Sequence, residues 1–114
     1  MIQFKVNIKP LSANSAWKGR RIKSDDYKQF ERSMHYLTPK GKVDPDKMLR
    51  VEIFFGFSNM ASDIDNPLKM TIDFCQKKFS FNDKNIFELN VRKCIVSKGQ
   101  EFIEVGIYPL LPFE

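Results

Sequence analysis

The alternation of apolar and polar residues predicts four β-strands. Apolar side chains occupy every second position over residues 2–8 and again over 49–57, which is the period of a strand with one buried face. Two further strands are predicted over 86–95 and 102–108, joined by a hairpin turn over 97–100. The sequence therefore supplies enough strands for a small sheet.

Helical spacing appears in two places between these strands. Apolar residues three and four positions apart predict a helix that follows Ser24, a residue suited to cap its N-terminus. Pro67 fits the first position of a second helix, which runs to about residue 77. Residues 12–23 have no regular period and predict a loop. The order β-α-β-α-β-β predicts an α+β fold, with two helices packed on a small mixed sheet in one domain spanning 1–114.

Composition narrows the classes of protein that fit. No apolar run approaches the roughly 18 residues of a membrane span, and the N-terminus alternates instead of forming the apolar block of a signal peptide. Two cysteines and one histidine are too few for a zinc cluster or a disulfide framework. We therefore expect a cytoplasmic protein. The 19 Lys and Arg against 14 Asp and Glu give a net charge of +5, which suits an anionic partner.

A cluster of charged residues surrounds the start of the second helix. Asp63 and Asp65 are two positions apart in what reads as an extended approach to it, so both carboxylates can point the same way. Lys69 follows one helical turn later, and Asp83 precedes the next strand. Hard cations such as Mg²⁺ take oxygen ligands, so this set predicts a metal site beside a lysine. The alternative is that the acids cap the helix and contact water.

Three stretches together resemble the RusA family of Holliday junction resolvases. They are D-I-D-N-P-L-K at 63–69 followed by Asp73, the stretch F-N-D-K-N-I at 81–86, and I-K-P-L-S-A-N at 8–14. The resemblance covers nearly the whole chain and implies a RusA-like fold, in the cytoplasm of a prokaryote or a phage-infected host cell. It also implies a homodimer that cuts four-way DNA junctions with Mg²⁺ or Mn²⁺, nicking two strands symmetrically and leaving 5′-phosphates.

The same resemblance assigns roles to individual residues. Asp63, Asp65 and Asp83 match the family's metal-binding aspartates, and Lys69 matches its catalytic lysine; all four are candidate catalytic positions. Asn82 departs from the family, which usually has a second acid there, so the charge available to a metal is lower. Asp73 matches an acidic position, with two roles open: support of the metal ligands or a salt bridge to Lys69.

Candidate DNA-binding residues lie outside this cluster. Trp17 could stack on an unpaired base at the junction centre, or it could anchor its own loop. Lysines on either side of Gly41 could grip a duplex arm through phosphates, or they could be part of a solvated turn. The full predicted set is Asn14, Trp17, Lys18, Arg20, Arg21, Lys40 and Lys42.

Two other functions fit the same residues. One is a non-catalytic module that binds branched DNA, an interpretation that Asn82 keeps open. The other is a nuclease of broader specificity that cuts flaps and forks, because branch specificity depends on dimer geometry. Retention of both aspartates in the 63–69 motif, of its lysine and of Asp83 favours an enzyme over the non-catalytic module.

Overall fold

A four-stranded mixed sheet with three helices forms the chain. The computed structural model describes residues 1–19 and 22–110, and its α+β architecture confirms the class predicted from the sequence. The strands, in the sheet order β1-β4-β2-β3, are β1 (Ile2–Val6), β4 (Phe102–Pro109), β2 (Leu49–Phe57) and β3 (Ile86–Ile95). The helices are α1 (Ala13–Ala16), α2 (Asp25–Leu37) and α3 (Leu68–Phe79), and a 3₁₀ turn, Asp83–Asn85, precedes β3.

One face of the sheet is covered by the two longer helices. The odd-numbered side chains of β2 point into this layer, where Ile53 and Phe55 are buried against Met34 of α2 and Phe79 of α3. As predicted, Ser24 caps α2, and its hydroxyl accepts a hydrogen bond from the Tyr27 N–H. None of the helices formed by residues 1–19 and 22–110 combines the length and the apolar character needed to cross a bilayer.

The segment predicted as a loop over 12–23 contains a short helix. Ser12 caps α1 by accepting a hydrogen bond from the Asn14 N–H, a local signal that apolar periodicity alone does not reveal. Ala16 of this helix is fully buried, and its carbonyl accepts a hydrogen bond from the Ser24 N–H. The short helix is thereby fixed at the start of α2. Arg20 and Arg21 lie outside the described residues.

The predicted hairpin between the last two strands is wrong. β3 pairs with β2 in parallel, and β4 crosses to the other side of β2, where it is antiparallel to both β1 and β2. Burial explains the order, because Ile103, Val105 and Ile107 of β4 are almost fully buried and require a central place. Every residue of β3 is exposed or only partly buried, and β3 takes the edge.

Aromatic rings and cations cover much of the second sheet face. The ring of Phe102 lies directly over Gly56 on the neighbouring strand and meets Phe54 edge-on, with ring centroids 5.3 Å apart. Lys5 places its ammonium 4.3 Å from the centroid of the same ring. Tyr108 lies over Gly106 in the same manner. These rings protect the sheet on the side that carries no helix.

We expect Gly56→Ala to destabilise the protein by about 1–3 kcal/mol, because a methyl group there would overlap the Phe102 ring and displace it. Chemical denaturation would measure the loss. Its control is the pair Phe102→Leu and Gly56→Ala/Phe102→Leu, in which the methyl group finds space once the ring is gone. The two changes should be less than additive; strict additivity would contradict the packing described.

Candidate functional site

The segment that carries the first two aspartates is a series of tight turns. The Asn66 N–H bonds to the carbonyl of Asp63 at 3.2 Å, and the Leu68 N–H bonds to that of Asp65 at the same distance. The expected extended approach to the helix is therefore wrong, because these bonds wrap the chain as it enters α3. Both carboxylates are exposed, and only that of Asp63 borders the cleft described next.

A cleft of about 350 Å³ lies between the segment leaving β1, α1 and the segment between β2 and α3. Asp63 and Asn66 line one side, and Asn14 lines another. Lys9 and Glu101 also border it. The cleft thus combines carboxylates, amides and a cation, which are groups able to contact a hydrated cation or a phosphate.

Asn66 fixes this cleft by joining two distant parts of the chain. Its Nδ2 donates to the Ser12 hydroxyl at 2.9 Å, and its Oδ1 accepts from the Ala13 N–H at 3.2 Å. The turns that carry Asp63 and Asp65 are therefore attached to the start of α1. This explains why two separate sequence motifs, over 8–14 and 63–69, meet at one place.

Glu101 was not among the residues predicted for the site. Its carboxylate accepts hydrogen bonds from the Ser58 hydroxyl at 2.8 Å and from the Gly99 N–H at 2.7 Å. Hydrogen bonds from its own main-chain N–H and from Ser58 lower the pKa of Glu101. The signal that could have found it is strand register, since Gly56 pairs with Phe102 and sets the residues after β2 beside Glu101.

A second line of polar groups runs along α3. Lys69 Nζ donates to Asp73 Oδ1 at 3.1 Å, which gives Asp73 the salt-bridging role left open by the sequence. Gln76 Nε2 donates to the same oxygen at 3.1 Å, and Gln76 Oε1 accepts from the Asp83 N–H at 2.8 Å. Side chains thus connect Lys69 to the turn that carries Asp83.

Asp83 itself lies far from the other two aspartates. Asp65 precedes Leu68 at one end of α3, whereas the Asp83 N–H bonds to the side chain of Gln76, a residue whose main chain lies about 12 Å further along the helix. Ligand oxygens on one Mg²⁺ lie within about 4 Å of each other. One chain therefore does not bring Asp83 together with Asp63 and Asp65, contrary to the expectation that it closes the set. No group of three His, Cys, Asp or Glu able to hold a metal ion occurs within 1–19 and 22–110.

The amide at position 82 has a structural task. Asn82 Oδ1 accepts a hydrogen bond from the Lys84 N–H at 3.0 Å and so caps the 3₁₀ turn Asp83–Asn85. An aspartate could cap this turn equally well. The amide therefore supports the turn that presents Asp83, whose carboxylate is exposed.

The predicted DNA-binding residues are spread over the surface. Trp17 is 45% exposed and meets Tyr27 edge-on at 5.3 Å, so its ring is a partial anchor with a free face. Lys18 is exposed beside it, and Lys40 and Lys42 are exposed after the end of α2. Of the predicted set, Asn14 lines the cleft with Asp63.

Replacing Asn66 by alanine removes both hydrogen bonds that attach the aspartate turns to α1. We expect Asn66→Ala to lower the free energy of unfolding by about 1–3 kcal/mol, measured by urea titration, since each such bond contributes about 0.5–1.5 kcal/mol. The control is Asn59→Ala, which removes a local turn bond to the Ala61 N–H and should cost less. Equal losses in the free energy of unfolding for the two variants would mean that the Asn66 hydrogen bonds stabilise the fold no more than a local turn bond does.

No protein-family model matches the chain, and no curated protein matches it. The likeness to RusA resolvases accordingly stays a prediction from the sequence motifs.

Proposed function

We propose that the protein is a RusA-like, metal-dependent endodeoxyribonuclease that resolves four-way DNA junctions as a homodimer. The observation that carries the proposal is the pairing of two polar features at the entrance to α3. The exposed carboxylates of Asp63 and Asp65 occupy the turns before the helix, and Lys69 occupies its first turn, held by Asp73. The chain around them has a net charge of +5, which suits a polyanionic substrate.

The donors suit the proposed metal. Mg²⁺ binds proteins through one or two carboxylates and keeps several water molecules, and Asp63 and Asp65 supply such oxygens. When held there, with Asp83 of the partner subunit completing the set, the ion would supply activation of a water molecule and neutralisation of charge on the leaving oxygen. Lys69 would contact a phosphate oxygen of the scissile strand, with Asp73 fixing its position. Mn²⁺ fits the same oxygen donors.

Strand β3 gives a second copy of the chain a place to bind. It forms an edge of the sheet, and Leu89 and Ile95 on its helix face are 40% and 45% exposed. Phe87, at the register shift near the start of the strand, is 63% exposed. The hydrogen bond from the Val96 N–H to the Phe57 carbonyl directs the main-chain groups of even-numbered residues toward β2. Those of Leu89 and Val91 point outward, so they are available to another strand.

Antiparallel pairing of two β3 strands about Asn90 fits their side chains. Leu89 would pair with Val91 of the partner subunit, and Glu88 would lie opposite Arg92 of the partner subunit. This register satisfies apolar and charged positions at once. The two helix faces would then form one continuous layer and bury the exposed apolar residues of both strands.

The same pairing would complete the carboxylate set. β2 is about 26 Å long and parallel to β3, so Asp63 lies near the end of β3 and Asp83 precedes its start. Lys93 Nζ donates to the Ser62 carbonyl at 2.7 Å, which holds the Asp63 segment beside the last residues of β3. An antiparallel partner would bring the start of its own β3, with Asp83 of the partner subunit, to this end.

A non-catalytic module that binds branched DNA is the second candidate. The separation of Asp83 from the other aspartates along α3 favours it, because a single chain holds only part of the proposed ligand set. This module would bind junctions with the same cationic surface and cut none. A nuclease of broader specificity, which also cuts flaps and forks, would instead share the carboxylates and differ in the range of substrates it cuts.

Cleavage of a synthetic four-way junction tests the proposal. We expect paired symmetric nicks with Mg²⁺ or Mn²⁺, none with EDTA, and none on a linear duplex of the same sequence, as read on a denaturing gel. Asp65→Asn should abolish nicking and retain junction binding in a gel-shift assay. It removes a proposed metal ligand, and within residues 1–19 and 22–110 the Asp65 side chain makes no hydrogen bond or ion pair that the change would break. Cleavage by Asp65→Asn at the wild-type rate would sink the assignment, and binding without cleavage by the wild type would favour the module.

Mixing two inactive variants tests whether the set spans two chains. In a mixed dimer of Asp65→Asn and Asp83→Asn chains, one shared site would carry both defects and the other none, so metal-dependent single nicks should return. The control mixture, Asp63→Asn with Asp65→Asn, leaves a defect in every site and should stay inactive. If the first mixture also stays inactive while its subunits exchange, each site is built within one chain.

A further inference from the structure

A groove rich in cations lies on a part of the surface that the proposed function above does not use. It lies between α2 and α3, has a volume of about 750 Å³, and is open to solvent. Four cations line it, and one acidic residue, Glu31, is found among the described residues that border it. With His35 neutral, the groove has a net charge of +3, compared with +5 for the whole chain. The cations are Lys28, Arg32, Lys77 and Lys78.

The acid in the groove, Glu31, is already paired with cations. Glu31 receives a hydrogen bond from Lys23 Nζ at 2.9 Å and an ion pair from Lys77 at 3.5 Å. The hydrogen bond to Glu31 raises the pKa of Lys23. Glu31 therefore orders cations and does not repel an anion that approaches them.

The remaining cations differ in whether their charged groups are already held by a partner. Lys78 Nζ donates to the His35 carbonyl at 2.9 Å and joins the last turns of the two helices. Lys28 and Arg32 are exposed one turn apart on α2, and no ion pair to either occurs within residues 1–19 and 22–110. Tyr36, 87% exposed, borders the same groove. The groove thus has a fixed base and a row of free cations with an aromatic ring, which are features of a nucleic-acid surface.

The groove adjoins the proposed cutting site through α3. Lys77 follows Asp73 by one helical turn, and Asp73 accepts the hydrogen bond from Lys69. The same helix therefore carries Lys69, the proposed phosphate-contacting lysine, in its first turn and two of the groove's cations, Lys77 and Lys78, in its last turn. A DNA backbone that passes Lys69 would meet Lys77 about two helical turns further along α3, beyond Asp73, which is already paired with Lys69.

We infer that the α2–α3 groove binds the phosphate backbone of a duplex arm, with Lys28 and Arg32 as its main contacts. The inference rests on the proposed function in taking DNA as the ligand, and it requires no cleavage. Contacts of this kind fix the orientation of DNA without reading its sequence. The groove would therefore set the angle at which an arm leaves the active centre.

The test compares two variants with equal charge loss. Lys28→Gln/Arg32→Gln removes two cations from the groove, and Lys47→Gln/Lys98→Gln removes two exposed cations elsewhere. Affinity of the full-length protein for a fluorescent four-way junction is measured by anisotropy in EDTA over a series of salt concentrations. Thermal melts of both variants verify that they are folded.

The slope of log K against log salt is negative for the wild type. We expect the groove variant to make this slope shallower by about 1.8, the value for two lost phosphate contacts, and the control variant to leave it unchanged. Equal slopes for the two variants would overturn the inference that the groove binds DNA. Wild-type protein that binds anionic phospholipid vesicles and no DNA would overturn it as well.

The outcome is separable from that of the nuclease proposal. If the wild-type protein nicks junctions and the groove variant binds like its control, the groove proposal is wrong and the nuclease proposal stands. A wild type that shows the expected slopes in EDTA and cuts no junction with Mg²⁺ or Mn²⁺ would retain the groove and remove the nuclease.

Discussion

Parallel pairing of β2 with β3 is the constraint on which the rest of the arrangement depends. A parallel pair cannot be joined by a tight turn, so the chain must return along the full length of β2, and α3 makes that return. The helix then has one end at the Asp63 turns and the other near the Asp83 turn. Every spatial relation among the charged residues of the site follows from this crossover.

The two sheet faces are protected in different ways. Helices bury one face, whereas flat aromatic rings over glycines, each with a cation above it, protect much of the other; Phe102 with Lys5 and Tyr108 with Arg50 are the two examples. Charges on this second face are balanced in sign along the strands, as with Arg50 and Glu52 at 2.8 Å. On the helical side, by contrast, Lys28, Arg32, Lys77 and Lys78 lie together along the groove between α2 and α3.

Local signals in the sequence predicted most elements and few of their contacts. Ser24 and the alternation in β2 specify their elements through neighbouring residues, so those predictions are confirmed. The place of β4 depends on competition between strands for burial, and no single segment contains that information. The same holds for the site: the 63–69 motif is visible in the sequence, but Glu101 reaches the cleft only through strand register. The separation of Asp83 from Asp63 likewise depends on the direction of β3.

The unequal edges of the sheet have a consequence for assembly. β3 is an edge of ten residues with exposed apolar side chains, whereas the opposite edge, β1, has five residues. In the proposed homodimer, pairing through β3 about a two-fold axis would use the same surface on both copies, so it would close on itself and produce one sheet of eight strands. The short β1 edges at its ends offer little length for further strands. The geometry thus favours a finite pair over an open fibre, even though the chain exposes a long edge strand.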